Sequence, residues 1–281
     1  NNEAIKTFTP FSKFLLSPSI FTGSNSQLEA NNWRPVPSLA FALEYYFFGS
    51  NPLGFHLVGI LLHLLNLVLV YFLIFKLTGR SIIAVLVSSL WALHPGLTEA
   101  VSWASNQSTL FFFAFFLISA ILLLKYEEGF KKNIWLWASY LFFGLSLLSK
   151  ETALGGIFVI ALIAAIYVKK RIKYGFLKEF IFEVTSYFLI SIFYFAVRYK
   201  ILGTVGDHVL RGSFWQNLLL APAVFSKYLS LSVWPVNLLL DYTNFPLPQT
   251  FWDLRVIAGT LLMTFLIWLF WFSYKKLQFN I

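Results

Sequence analysis

Apolar residues run in long unbroken blocks along this chain, without the period of two or 3.6 that marks a half-buried strand or helix. The first clear block is PLGFHLVGILLHLLNLVLVYFLIF, residues 52–75. Others follow at 81–93, 108–124, 133–148, 152–168, 180–198 and 253–273. A helix needs ~20 apolar residues to cross a bilayer, so each block predicts a spanning helix. The block at 81–93 is short and runs into His94-Pro95, which predicts a tilted span or one that borrows preceding residues. The stretch 216–240 is apolar but carries Pro222, Lys227 and Pro235, and it is expected to be re-entrant or interfacial.

The residues between blocks set an orientation. Lys76/Arg80, Lys125/Lys131/Lys132, Lys169/Lys170/Arg171/Lys173/Lys178 and Lys275/Lys276 cluster in alternate connections, which the positive-inside rule assigns to the cytoplasm. Alternation then places 1–51, 94–107, 149–151 and 199–215 on the other side. Every polar residue of chemical interest falls on that second side: Arg34, His94, Glu99, Asn106, Gln107, Lys150, Glu151 and Asp241. The expected layout is an outer loop with an interfacial helix over 1–51, a transmembrane core over 52–198, a second outer loop over 199–252, and a last span with a cytoplasmic end over 253–281.

Composition agrees with the pattern. Of 281 residues, 58% are hydrophobic and 12% charged, and mean hydropathy is +0.73. A soluble domain needs far more charged surface. The net charge of +9 sits in short clusters between apolar blocks. That arrangement points to topology and lipid headgroups, with no nucleic-acid partner expected. Cysteine is absent, which excludes disulfides, thiolate metal sites and cysteine nucleophiles. Residues 1–33 are polar, with no starting Met and no signal-peptide core, so the sequence reads as beginning inside a larger protein.

Several segments, in order, match a known family. Trp33-Arg34-Pro35 followed by SLAFALEYYFFG and NPLGFHLVGILLHLLN resembles the first half of the transmembrane-and-tetratricopeptide-repeat O-mannosyltransferases and their bacterial relatives. LWALHPGLTEAVSWASNQSTLFFFAFFLISAILLLKY resembles their HP-x-x-x-E-A-V loop and the span after it. SLLSKETA at 146–153 is similar to their S-K-E element, and FAVRYKILG and YLSLSVWPVNLLLDY match later outer segments. The similarity covers most of residues 31–245. It implies the C-type glycosyltransferase superfamily: an all-α, multi-span membrane bundle with interfacial helices in its outer loops. It further implies a polyprenyl- or dolichyl-phosphate sugar as donor, with no other cofactor, acting on the periplasmic or lumenal side of a bacterial inner membrane or the endoplasmic reticulum. Relatives carry a first span and an acidic pair ahead of the point matching Asn1, and helical repeats at the C-terminus. Where this chain has Asn106-Gln107-Ser108-Thr109, relatives often carry Arg or Lys and Asp.

Sugar transfer from a lipid phosphate needs a carboxylate to take the acceptor's proton, and cations or dipoles to hold the departing phosphate. Glu99 and His94, five residues before it, are the residues expected to be catalytic within this chain, and Trp103, one helical turn beyond Glu99, is placed to stack on a sugar ring. The competing role for Glu99 is capping or pairing in a buried loop. Lys150-Glu151 lies in a very short turn, where the Lys is expected to meet a phosphate as a point charge. Otherwise Lys150 snorkels to the headgroups and Glu151 caps the next helix. Arg34 is a bidentate phosphate ligand or an ordinary interfacial Arg. Asn106 and Gln107 complete the expected substrate-binding set, and Glu44 is assigned to packing.

His56, His63 and Asn66 share a face of the first span. Lacking a carboxylate or second ligand pair, they read as polar glue between helices and not as a metal site. The expected partners are membrane lipid, the lipid-phosphate sugar, and a protein acceptor or other membrane subunits. Two other functions fit less fully. One is a non-catalytic, glycosyltransferase-like scaffold subunit. The other is a transporter, which the lack of an intramembrane charge relay argues against.

Overall fold

A computed structural model of the chain describes residues 33–128, 133–171, 176–203, 213–236, 238–239 and 245–279, with backbone alone at 168–171, 176–179, 270–271 and 273–279. Asp241, Tyr242, Lys131, Lys132 and Lys173 fall outside the described residues. Every regular element described is helical. The helices are α1 Pro35–Phe48, α2 Pro52–Thr78, α3 Ser81–Ala92, α4 Thr98–Ser102, α5 Gln107–Glu127, α6 Asn133–Ser149, α7 Gly156–Arg171, α8 Phe176–Leu202, α9 Phe214–Val233 and α10 Leu254–Phe279. Short 3-10 turns join several of them, at Pro95–Leu97, Ala104–Asn106 and Glu151–Gly155.

The apolar blocks became these helices, and their ends obey local rules. Pro52 opens α2, where its missing N–H costs nothing, and Asn51 caps it by accepting from the Leu53 N–H at 3.1 Å. Gly79 closes it in the left-handed conformation, φ 67°, with its N–H on the Phe75 carbonyl. Three stretches are long and apolar enough to cross a membrane: α2, Ala104–Glu127 and Phe180–Leu202. They become four if α3 and the segment Pro95–Ser102, bent from it by 55°, count as one span. That bend marks where the short block at 81–93 ends: past His94-Pro95 the helical chain runs on in a new direction. Helix α6, the stretch Glu151–Tyr167 and the apolar part of α10 are shorter. The chain is an all-α integral membrane bundle.

The contacts divide the chain into two compact units, residues 1–207 and 208–281. In the first, α5 and α6 pack along their lengths, α2 lies against α3 and α5, and α7 and α8 close the group. Helix α1 rests on α2, α5 and α6. The core contains Leu117, Ala120, Leu123, Leu124, Phe143, Leu147, Ile160 and Tyr187. Between lipid-embedded helices there is little hydrophobic force, so close approach and hydrogen bonds must supply the attraction. Ser119 and Ser139 supply them here. Each hydroxyl donates to the other's backbone carbonyl, at 2.8 and 2.7 Å, and Ser139 also meets the Tyr187 hydroxyl at 2.7 Å. These contacts tie α5, α6 and α8 together.

Two contacts fix which ends lie side by side. Lys76, in the last turn of α2, pairs with Glu128 just past α5. Lys125 sits 3.5 Å over the Trp135 ring near the start of α6. This basic end therefore gathers the end of α2, the end of α5 and the start of α6. The opposite end gathers the start of α5 and the junction of α6 with α7. In the second unit, α9 and α10 pair through Leu219, Ala223 and Val256. A Cβ built on Gly259 would fall 1.9 Å from the Pro222 carbonyl oxygen, so only glycine permits that approach.

Candidate functional site

The site is assembled at the end opposite the basic rim, where helices break. At His94-Pro95 the proline has no N–H to continue α3. The Gly96 N–H, which would otherwise reach Ala92, goes to the His94 Nδ1 at 3.0 Å. The freed Ala92 carbonyl lies 3.1 Å from His63 Nε2, and His63 stacks on Trp91. The turned chain then forms α4, which carries Glu99, and a second tight turn brings Asn106 back to it.

From Glu99 a line of hydrogen bonds crosses the rim. Asn106 Nδ2 donates to Glu99 Oε1 at 3.0 Å, Thr109 Oγ1 donates to Asn106 Oδ1 at 2.7 Å, and Lys150 Nζ donates to Thr109 Oγ1 at 2.8 Å. Lys150 reaches in from an extended link, φ −161°, between α6 and the next 3-10 turn. Burial pushes its ammonium below the ordinary lysine range, the charge of Arg34 adds to the effect, and Glu151 and Glu99 oppose it.

A second group adjoins the first. Arg34 grips Glu151 with both arms of its guanidinium, Nη2 donating to Oε1 at 2.8 Å and Nε to Oε2 at 3.4 Å. Arg198, only 1% exposed, donates to Glu151 Oε2 at 3.4 Å and to the Tyr194 hydroxyl at 3.3 Å. Trp33 is buried against Tyr194, with ring centroids 5.5 Å apart. Burial disfavours the Glu151 charge, but the hydrogen bonds and charge of Arg34, with Arg198 behind them, hold the carboxyl below its usual range. Glu151 is therefore ionised and shared between two guanidinium groups.

The structure brings together five of the residues singled out in the sequence: Arg34, Glu99, Asn106, Lys150 and Glu151. The other three stand apart from these bonds. His94 caps the turn beside Glu99. Trp103 is 52% exposed. Gln107 lies within the bundle, fully buried, its Nε2 donating to the Phe55 carbonyl at 2.7 Å and lying 3.4 Å from Glu44 Oε2. Sequence reasoning passed over Arg198, and it named Thr109 only among the neutral residues that stand where relatives often carry charges. The signal for Arg198 was available: an Arg near the end of an apolar helix, one turn after Tyr194. Thr109 was given no role of its own, because a hydroxyl at the start of a span is unremarkable by itself. His56 is exposed, whereas Asn66 is fully buried and donates to the Leu110 carbonyl at 3.0 Å. No group of three metal-ligating side chains occurs among the described residues.

Chemically, three cations (Arg34, Lys150, Arg198) face two carboxylates, and one of those, Glu151, is committed to the two Arg side chains. Lys150 is hydrogen-bonded to a neutral hydroxyl, so its charge remains available to an anion. Glu99 stands at the far end of the same line with one oxygen engaged by an amide. An anion and a hydroxyl-bearing acceptor presented at this rim would meet a cation and a carboxylate respectively.

The chain is similar to relatives with curated functions. The chain is 27% identical to protein O-mannosyl-transferase TMTC4 of Mus musculus over 92% of its own length and 41% of that protein's. It is 30% identical to protein O-mannosyl-transferase tmtc2 of Xenopus laevis over 48% of the chain, and 33% identical to protein O-mannosyl-transferase Tmtc1 of Drosophila melanogaster over 34%. These matches cover 16% and 10% of those two proteins. The chain thus spans about two fifths of the mouse TMTC4 sequence. No protein-family model matches it, and no solved structure does.

Proposed function

From the chain's kinship with the TMTC-family protein O-mannosyl-transferases, we propose that it moves a sugar from a polyprenyl- or dolichyl-phosphate donor to a hydroxyl-bearing acceptor on the non-cytoplasmic face. The observation that carries this reading is the convergence of Arg34, Lys150 and Arg198 with Glu99 and Glu151 at the end away from the basic anchors. A donor whose tail stays in lipid presents its phosphate at such a rim, where fixed cations stabilise the charge that develops as the sugar departs. Lys150 is assigned to the phosphate. The Arg34–Glu151–Arg198 group keeps that side rigid and positive, and burial strengthens each of its interactions. Glu99 is assigned to the acceptor hydroxyl, with Asn106 fixing its carboxylate and exposed Trp103 offering a face to a sugar ring.

The test is transfer by the full-length protein supplied with polyprenyl-phosphate sugars and hydroxyl-bearing peptides. Lys150→Ala and Glu99→Gln are each expected to lower turnover by about 10²-fold or more, the usual scale for removing a charge-stabilising group or a positioned base. Full activity in both variants would overturn these assignments. Failure of the wild-type protein to transfer any such sugar, together with its recovery in a stable multi-subunit complex, would favour the scaffold role.

A further inference from the structure

Glu44 is a carboxyl in an unusual place. It lies near the end of α1, 5% exposed, on a helix otherwise made almost wholly of apolar and aromatic residues. Its neighbour is Gln107, the first residue of α5 and itself fully buried. Gln107 Nε2 spends its short hydrogen bond on the Phe55 carbonyl at 2.7 Å and reaches Glu44 Oε2 at 3.4 Å. Glu44 Oε1 and Gln107 Oε1 are both buried and both without a hydrogen-bond partner among the described residues. Two side chains in contact thus hold two orphan acceptors. A buried carboxylate with one long hydrogen bond is costly, and an orphan acceptor adds to the penalty. One proton removes both difficulties. It cancels the charge and makes Glu44 a donor, so that acid and amide each give and accept a hydrogen bond.

We infer that Glu44 carries its proton in the folded protein and clasps Gln107 as a neutral acid–amide pair, making Glu44 a positioning residue for α1. The pair joins α1 to the start of α5, and through the Phe55 carbonyl to the first turn of α2. Its consequence for the site is that Arg34 immediately precedes α1, so the clasp sets where that guanidinium meets Glu151. That consequence rests on the function proposed above; the proton and the clasp do not.

Among the described residues, the surroundings offer no substitute for the proton. Of the helices packed on α1, α2 carries His56, His63, Tyr71 and Lys76, with His56 exposed, His63 at the Ala92 carbonyl and Lys76 at the basic end. Helix α5 carries Lys125, Tyr126 and Glu127, all in its last turn, and α6 carries only Tyr140. On the α1 side, Arg34 is committed to Glu151, and Tyr45 and Tyr46 neighbour Glu44 in sequence. Burial pushes the Glu44 carboxyl up to about 7, with the Gln107 hydrogen bond opposing it.

Infrared difference spectra of the full-length protein, titrated from acid to alkaline pH, test the inference without any activity assay. The wild type is expected to show a protonated-carboxyl band in mildly acidic buffer that bleaches as pH rises and is missing from Glu44→Gln. Hydrogen exchange of α1 supplies the second arm. Corrected for intrinsic rates, Glu44→Gln should keep α1 within about twofold of wild-type protection, and Glu44→Ala should lose about tenfold or more. Absence of that band from the wild type, or equal loosening of α1 in both variants, would overturn the inference. If instead transfer fails while band and protection behave as described, the clasp stands and the sugar-transfer reading falls.

Discussion

Glu151 shows how one residue organises the site. Its carboxylate sits between Arg34 and Arg198, so removing it leaves two guanidinium groups facing each other in a mostly buried place. Breaking such a pair from one side costs about 3 kcal/mol or more, and Glu151→Gln is expected to lower stability by about that amount in denaturant or thermal melts of the detergent-solubilised protein. Removing the aliphatic length of Arg34 would cost packing as well. Two carboxyls also give stability opposite slopes with pH. Glu44 is raised from 4.5 to about 7, so the unfolded chain loses this proton before the folded one does. Stability should therefore climb as pH falls from about 7 to 4.5. Glu151 is lowered, so its contribution is present above its unfolded value of 4.5 and is lost as pH falls through its folded one. A melting temperature that rises and then falls on acidification is expected, with the first limb missing in Glu44→Gln. At this scale the sequence revealed charge more readily than partnership. Lys150-Glu151 and Arg34 stood out as costly ions, whereas Glu44 and Gln107 looked independent because 63 residues separate them.

Among the elements, position is decided by the breaks in the helices more than by the helices. Pro95 and the His94 side chain end α3 and turn the chain through 55°, and His63 takes the carbonyl that the break exposes. His63→Leu leaves that part-buried carbonyl without its imidazole and should lower stability by about 1 kcal/mol, the usual net worth of one hydrogen bond; a melt unchanged within error would refute the role. Helix α10 depends on an absence. Gly259 has no Cβ where the Pro222 carbonyl approaches, and Gly259→Ala should destabilise the α9–α10 pair by about 1–3 kcal/mol, seen as faster hydrogen exchange in α10. Block lengths announced α2, α5 and α8 because a long apolar run has few other uses. The short run at 81–93 was ambiguous because its continuation changes direction, and direction is not written in hydropathy. The extent of the helix at 214–233 was not legible around Pro222, which α9 accommodates inside a continuous helix.

For the whole molecule, the division between two rims matters most. Lys76, Lys125 and Glu128 stand at one end of the first unit, and Arg34, Glu99, Lys150, Glu151 and Arg198 at the other. That separation was legible in the order of charged clusters, because each spanning helix carries the chain from one rim to the other. The hydrogen-bonded line from Glu99 to Lys150 was not, since it depends on side-chain reach across three separate turns. The chain has no cysteine, so single substitutions can map the sides: Ser105→Cys and Ser81→Cys, both exposed, should react with an impermeant thiol reagent from opposite faces of a sealed vesicle. Reaction of both from one face would undo the topology. The polar rim is further proposed to receive a lipid-borne phosphate at Lys150. An amine-directed reagent that modifies Lys150 in the full-length protein, with dolichyl phosphate or dolichol present, reads this out. Dolichyl phosphate is expected to slow modification by about tenfold or more, as a ligand near saturation would, while dolichol leaves the rate unchanged. Equal rates with both lipids would remove Lys150 from phosphate binding.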